Sequence, residues 1–187
     1  NGHDIEKDPI EAKRQIGYFP DEAQMKDKLT DVEYLSFMCD VYGVPVNERD
    51  KRVRPLLEAF EILDAARDPI GSYSRGMRQK MAITGSLVHR PPLWILDEPM
   101  VGLDPRSSFL LKELMRSHTD QGGAVFFSTH VMEVAERLCD RVGIIHKGRL
   151  IAVNTVQEMK DLFAKEKDAS LEEIFLEITE AKLPEEQ

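Results

Sequence analysis

The sequence predicts an α/β fold, a mostly parallel sheet with flanking helices and a helical lobe inserted between its strands. Short apolar segments at 16–20, 93–96 and 124–127 alternate with segments of helical period, the pattern of strands that pair in parallel across helical crossovers. The run Leu93 to Leu96 is apolar without interruption and has turn residues on both sides, as expected of a parallel strand buried on both faces. Residues 30–70 hold two consecutive helical patterns with no strand between them, which read as a small lobe or, equally well from periodicity alone, as two amphipathic helices packed on the sheet.

Taken in order, Asn1-Gly2 is a tight-turn dipeptide with no strand before it, so the chain reads as beginning inside a domain. Pro9 to Arg14 forms a short helix with Pro at its first position, and Ile16 to Pro20 a strand entering the polar loop Asp21-Glu22-Ala23-Gln24. Thr30-Asp31-Val32-Glu33 is a capping box. Val32, Leu35, Cys39 and Tyr42 share one face of the helix it opens, which Gly43 and Pro45 stop. A second helix carries Val53, Leu56, Leu57 and Phe60. Ser74 is placed to cap a helix running through Met81, Ile83, Leu87 and Val88, and Gly76 lets the backbone approach another group closely at its first turn.

Asp104-Pro105 opens the next helix with an Asp cap and a first-turn proline; Leu110, Leu111, Leu114 and Met115 are its inward face. Gly122-Gly123 ends that connection, and the buried strand 124–127 passes through Ser128-Thr129-His130 into a helix with Val131, Val134, Ala135 and Leu138. Arg141 to His146 is expected as a third strand of this kind, turned by Lys147-Gly148 into 149–153. Leu171, Ile174, Phe175 and Ile178 stripe a final helix, followed by a frayed acidic end at 183–187.

Composition excludes several classes. A net charge of −9 disfavours a nucleic-acid surface, which needs clustered Lys and Arg. The longest apolar runs fall far short of the ~18 residues a membrane-spanning helix needs, and no signal-like start is present. Cys39 and Cys139 lack CxxC or metal-ligand spacing, so they read as small hydrophobes of a reducing compartment, the cytosol.

Two places carry chemistry. Asp97 and Glu98 follow the central strand, where open parallel sheets bind ligands beyond the carboxyl ends of their strands; an Asp there suits Mg²⁺, and the adjacent Glu suits polarising a water. The same dipeptide also fits a strand that ends at a solvated turn. Ser74 starts a helix whose free amides suit a phosphate, or it only caps that helix.

The order of the motifs is more specific than any one of them. Tyr73-Ser74-Arg75-Gly76-Met77, then Leu93 to Glu98, then Gly102-Leu103-Asp104, then Ser128-Thr129-His130 resemble the motifs of the ATPase domain of ABC transporters, and the likeness runs from residue 1 to about residue 178. It implies a P-loop NTPase-like sheet with an ABC-type helical lobe. The expected segments are 1–29, the remainder of the ATPase core with its Q-loop; 30–73, the helical lobe; 74–154, core with signature, Walker B, D-loop and switch histidine; and 155–187, C-terminal helices. The cofactors implied are ATP and Mg²⁺. Asp97 corresponds to the Walker B aspartate that holds the metal, Glu98 to the catalytic glutamate and His130 to the histidine that senses the γ-phosphate; a helix-starting histidine bonded to nearby backbone is the plainer alternative for His130. Ser74, Arg75 and Gly76 correspond to the signature, which acts on ATP held by the other domain of a head-to-tail dimer, and Asp104 to the D-loop aspartate. The YSRGM form and Leu171-Glu172-Glu173-Ile174-Phe175 resemble drug, antibiotic or sodium exporters of the ABC-2 type. Expected partners are a transmembrane permease and a second ATPase domain, at the cytoplasmic face of the cell membrane, with no nucleic acid.

Three departures from the family pattern shape the expectation. No G-x-x-x-x-G-K-[ST] occurs anywhere, nor any Gly-Lys pair, so the phosphate cradle and its Lys are absent. The sequence then reads as an N-terminally truncated piece, inactive alone, or else as a polypeptide without a nucleotide pocket of its own. Asp21 stands where the Q-loop glutamine is expected and offers the metal an oxygen, with Gln24 as the alternative amide. Arg75 replaces the first signature glycine and adds a positive charge. The competing functions are a soluble ABC protein acting on ribosomes or DNA, which asks for basic surfaces or a tandem second ATPase, and a non-catalytic docking or regulatory fragment.

Overall fold

The computed structural model describes residues 1–22, 25–163 and 169–180, so the expected acidic end at 183–187 lies outside the described residues. The described residues form two compact units, divided between Ser128 and Thr129. In chain order the first holds α1 (Pro9–Arg14), β1 (Ile16–Phe19), α2 (Asp31–Val41), α3 (Val46–Ala59), two short 3-10 turns, α4 (Arg75–Leu87), β2 (Leu93–Leu96), α5 (Pro105–Asp120) and β3 (Ala124–Phe127). Its sheet is parallel in the order β1-β2-β3, with Ile16, Leu93 and Ala124 opening one register.

Strand side chains alternate between the faces, and here the faces differ. Phe19, Trp94 and Leu96 are buried. Trp94 Nε1 donates to Ser86 Oγ of α4 at 2.9 Å, and its ring lies 5.8 Å from that of His118 on α5. Those two helices therefore cover this face. Gly17 makes the fit possible, because a Cβ there would stand 2.3 Å from the Ser86 carbonyl oxygen. On the other face Tyr18 and Phe126 are 56% and 66% exposed, on either side of half-buried Ile95. The expectation that β2 is buried on both faces holds for one face only, since among the described residues nothing seals the other.

The lobe is built from α2 and α3. Thr30 Oγ1 accepts from the Glu33 amide at 3.3 Å while Glu33 Oε2 accepts from the Thr30 amide at 2.9 Å, which completes the capping box. Leu35 and Cys39 are buried as expected, whereas Val32 is exposed. Its place toward the interior is taken by Asp31, which is wholly buried and has no hydrogen bond on either carboxylate oxygen. Tyr73 lies beside it, but its hydroxyl donates to the Ala65 carbonyl at 2.6 Å, so its single proton is committed. Burial pushes the Asp31 carboxyl up to about 6; Tyr73 pulls it down and the charge of Asp68 adds to the rise.

The second unit holds α6 (Met132–Leu138), β4 (Val142–His146), β5 (Arg149–Asn154), α7 (Val156–Phe163) and α8 (Leu171–Glu180). Among the described residues β4 pairs with β5 alone, antiparallel across the Lys147-Gly148 turn. The expected strand at 141–146 and its turn at Lys147-Gly148 are both present, and because the two-residue turn returns the chain at once they make a hairpin. Ile144, Met159, Ile174 and Ile178 form its core, and Lys160 bridges to Glu136 at 2.6 Å.

Candidate functional site

Asp97 and Glu98 leave the carboxyl end of the central strand. The Asp97 amide continues the ladder to the Phe19 carbonyl at 2.9 Å, and the Ser128 amide reaches the Leu96 carbonyl at 3.0 Å. Parallel register therefore sets Ser128 beside Asp97. Its hydroxyl donates to Asp97 Oδ1 at 2.5 Å and accepts from the Glu98 amide at 3.0 Å, fixing one carboxylate oxygen and the backbone of the neighbouring acid. Glu98 has a left-handed backbone, φ 44°, a conformation uncommon outside glycine and worth noting at a candidate site. Ser128 is the residue that motif reasoning missed; the available signal was a hydroxyl one step past β3, in register with an acid one step past β2.

Asp97 directly follows β2 and Asp21 stands two residues past β1, so both emerge at the carboxyl edge of adjacent strands. Asp21 lines an open cleft of about 330 Å³ with Glu22, Arg75, Arg78 and Gln79. Gln24 lies outside the described residues. Among the described residues no three His, Cys, Asp or Glu side chains gather as a metal cage.

Ser74 caps α4 and accepts from the Met77 amide at 3.3 Å. Arg75 is exposed at the first helical position, while Arg78 is held by Asp27 Oδ1 at 2.6 Å and the Gly71 carbonyl at 3.2 Å. A Cβ on Gly76 would meet the Gly102 carbonyl oxygen at 3.2 Å, so the first turn of α4 lies against the 101–104 turn. Asp104 caps α5: its carboxylate accepts from the Ser107 amide at 2.9 Å and hydroxyl at 2.6 Å, and Lys80 Nζ stands 3.0 Å away. The hydrogen bonds from Ser107, reinforced by Lys80, hold this carboxyl far below the usual carboxylate range. His130 belongs to the second unit; it is exposed, just before α6, where the Val131 amide donates to Thr129 Oγ1 at 3.1 Å. The first unit thus brings together Asp97 with Glu98, and Asp21 with Arg75, and it sets Gly76 against the turn that leads to Asp104.

The sequence pattern of the ABC transporter family matches residues 1–101. The ABC-type transporter ATP-binding protein EcsA of Bacillus subtilis (strain 168) is 35% identical over 96% of this chain and 72% of its own length. The linearmycin resistance ATP-binding protein LnrL of the same organism is 37% identical over 84% of this chain, which spans about half, 51%, of that relative. A solved structure described as an ATP binding subunit of an ABC transporter superposes with a TM-score of 0.90 at 34% identity, covering 95% of this chain and 74% of that one. Four ordered motifs, a carboxylate pair at the carboxyl edge of a parallel sheet and these likenesses agree, and the chain belongs to the ABC transporter family, among its ATP-binding proteins.

Proposed function

We propose that this chain is the ATP-hydrolysing part of an ABC transporter and drives transport through a permease on a separate polypeptide. The observation that supports it most is the Asp97-Glu98 pair at the end of the central strand, with Ser128 orienting both. Hydrolysis of ATP requires neutralised phosphate charge, an anchored metal and an oriented water. Mg²⁺, when bound, supplies the charge neutralisation. Mg²⁺ does not need an all-protein cage, so the oxygen donors present fit it: Asp97 would hold it, with Asp21 as a further oxygen. Glu98 takes the proton of the attacking water, and His130 hydrogen-bonds the γ-phosphate and registers its loss.

In a head-to-tail dimer Ser74, Arg75 and Gly76 address the ATP of the other domain, with Asp104 shaping the adjoining turn. Residues 30–73 meet the permease at the cytoplasmic face of the membrane. No described helix is long and apolar enough to cross a bilayer. Export by an ABC-2 type permease is the direction we favour, on the YSRGM form and the resistance named for the linearmycin relative.

Without a G-x-x-x-x-G-K-[ST] segment the 187 residues have no cradle to position the phosphates, so they bind MgATP weakly. Calorimetric titration is the test. The chain alone is expected to show no micromolar site, and the chain extended by a strand, phosphate-binding loop and helix of that pattern is expected to show one. A micromolar site in the unextended chain would overturn the first claim, and none in the folded extended chain would overturn the ATPase reading.

A further inference from the structure

Between α3 and α4 the chain makes only short turns, yet residues 65–73 are fastened to the start of α2. The Ile70 amide donates to the Leu29 carbonyl at 2.8 Å and the Gly71 amide to the Asp27 carbonyl at 2.9 Å. The Val32 amide reaches the Ala66 carbonyl at 3.4 Å, and Thr30 and Pro69 form an antiparallel bridge. This strap runs directly into Ser74, the cap of α4. Asp31 stands between the fastened residues Thr30 and Val32, wholly buried, and neither of its carboxylate oxygens meets a hydrogen-bond donor among the described residues. Burying an ionised carboxylate in that condition is costly.

The groups that act on it both belong to the strap: the Tyr73 hydroxyl, and the carboxylate of Asp68, whose charge opposes ionisation. Tyr73 is 7% exposed, and burial holds its phenol far above the ordinary value, so it keeps its proton. That proton goes to the Ala65 carbonyl at 2.6 Å. The Ala65 carbonyl also accepts from the Asp68 amide at 2.8 Å, so it can lose Tyr73 without being left unpaired. A phenolic oxygen that donates one hydrogen bond can still accept another. A protonated Asp31 therefore completes a chain, donating to Tyr73, which donates to Ala65. An ionised Asp31 has no proton to give and is a stronger acceptor than a carbonyl.

We propose that Asp31 and Tyr73 form a proton-operated switch in the strap: when Asp31 gives up its proton to solvent, the Tyr73 hydroxyl swings from the Ala65 carbonyl to the Asp31 carboxylate, and Ser74, the next residue, moves with it. The arrangement in the structure is the protonated form. The Asp31 O–H is the one bond broken, and the Tyr73 proton stays on Tyr73 in both positions. Asp31 and Tyr73 act here as positioning residues for the start of α4, independently of any nucleotide.

The test is an NMR titration of the 187-residue chain from about pH 4 to about pH 8, in the parent, Asp31→Asn and Tyr73→Phe. The Tyr73 ring signals of the parent are expected to shift with a midpoint of about 6, the value to which burial pushes Asp31. The Met77 amide, which donates to Ser74 Oγ at 3.3 Å, is expected to shift with the same midpoint. Asp31→Asn should remove both shifts. Tyr73→Phe should raise the midpoint read at the Asp31 carboxyl carbon, because the donor that favours the ionised form is gone, and should remove the Met77 shift. Parent-like amide signals in β2 and α5 show that each variant folds. Flat Tyr73 signals in the parent, or a shift of that midpoint surviving in Asp31→Asn, overturn the switch. A Tyr73 shift with a flat Met77 amide overturns its reach to α4. Should Asp31→Asn fail to fold, Tyr73→Phe still decides: an Asp31 midpoint unmoved by loss of the hydroxyl overturns the switch.

Discussion

The two faces of the three-stranded sheet come from alternate residues of the same strands, yet they are finished differently. Phe19, Trp94 and Leu96 are sealed under α4 and α5, while Tyr18 and Phe126 remain more than half exposed. Parallel sheets are ordinarily covered on both faces, so the second face is a stretch of apolar surface left open among the described residues. By strand alternation Asp97 and Ser128 project on the same side as Ile95 and Phe126. The difference separates two jobs: the sealed face carries the stability of the first unit, and the open one adjoins its chemistry.

Trp94→Ala is the largest test of that separation. It empties the space between α4 and α5 and removes the indole donor from Ser86, whose hydroxyl keeps its bond to the Ile83 carbonyl, and it is expected to cost about 3–5 kcal/mol in urea denaturation. Behind the sealed face lies a second prediction. α2 packs on α4, with Tyr34 of α2 against Gly85 of α4, and it buries Asp31 with its carboxyl raised to about 6. A carboxyl whose folded pKa exceeds its unfolded value destabilises the fold as it ionises. Stability therefore falls as pH rises from about 4 to about 6 and is level above that. Asp31→Asn is expected to stabilise the chain at pH 7 by about 1–3 kcal/mol, with the gain gone below about pH 4; equal urea midpoints for parent and variant at pH 7 would show that the carboxylate is solvated after all. The smallest effect belongs to the open face. Phe126→Ala is expected to change stability by under about 1 kcal/mol, and a loss matching that of Trp94→Ala would erase the distinction between the faces.

Much of this was legible in the residues. Thr30 with Glu33, Ser74 and Asp104 announced three helix starts because a cap is a local contract between a side chain and amides two or three positions on. The strand at 93–96 and its acid pair followed from an uninterrupted apolar run. What local pattern did not carry was partnership. The run at β2 reads as buried on both faces because its composition is apolar, but cover depends on elements elsewhere in the chain. At 141–153 the Lys147-Gly148 turn did show the return of the chain, and the antiparallel pairing followed from it. Ser128 acquired meaning only from its register beside Asp97. Val32 lost its inward place to Asp31, a charge that hydrophobic periodicity would never seat there.

The most direct measurement of the central claim is ATP turnover by the chain extended with a phosphate-binding segment, compared with its Glu98→Gln variant. The amide keeps the size of the side chain and most of its hydrogen bonding but cannot take a proton. If Glu98, positioned by Ser128 at the end of β2, is the base, MgATP binding should persist while turnover falls about 10²–10⁴-fold. Turnover at the parent rate in Glu98→Gln would contradict the account.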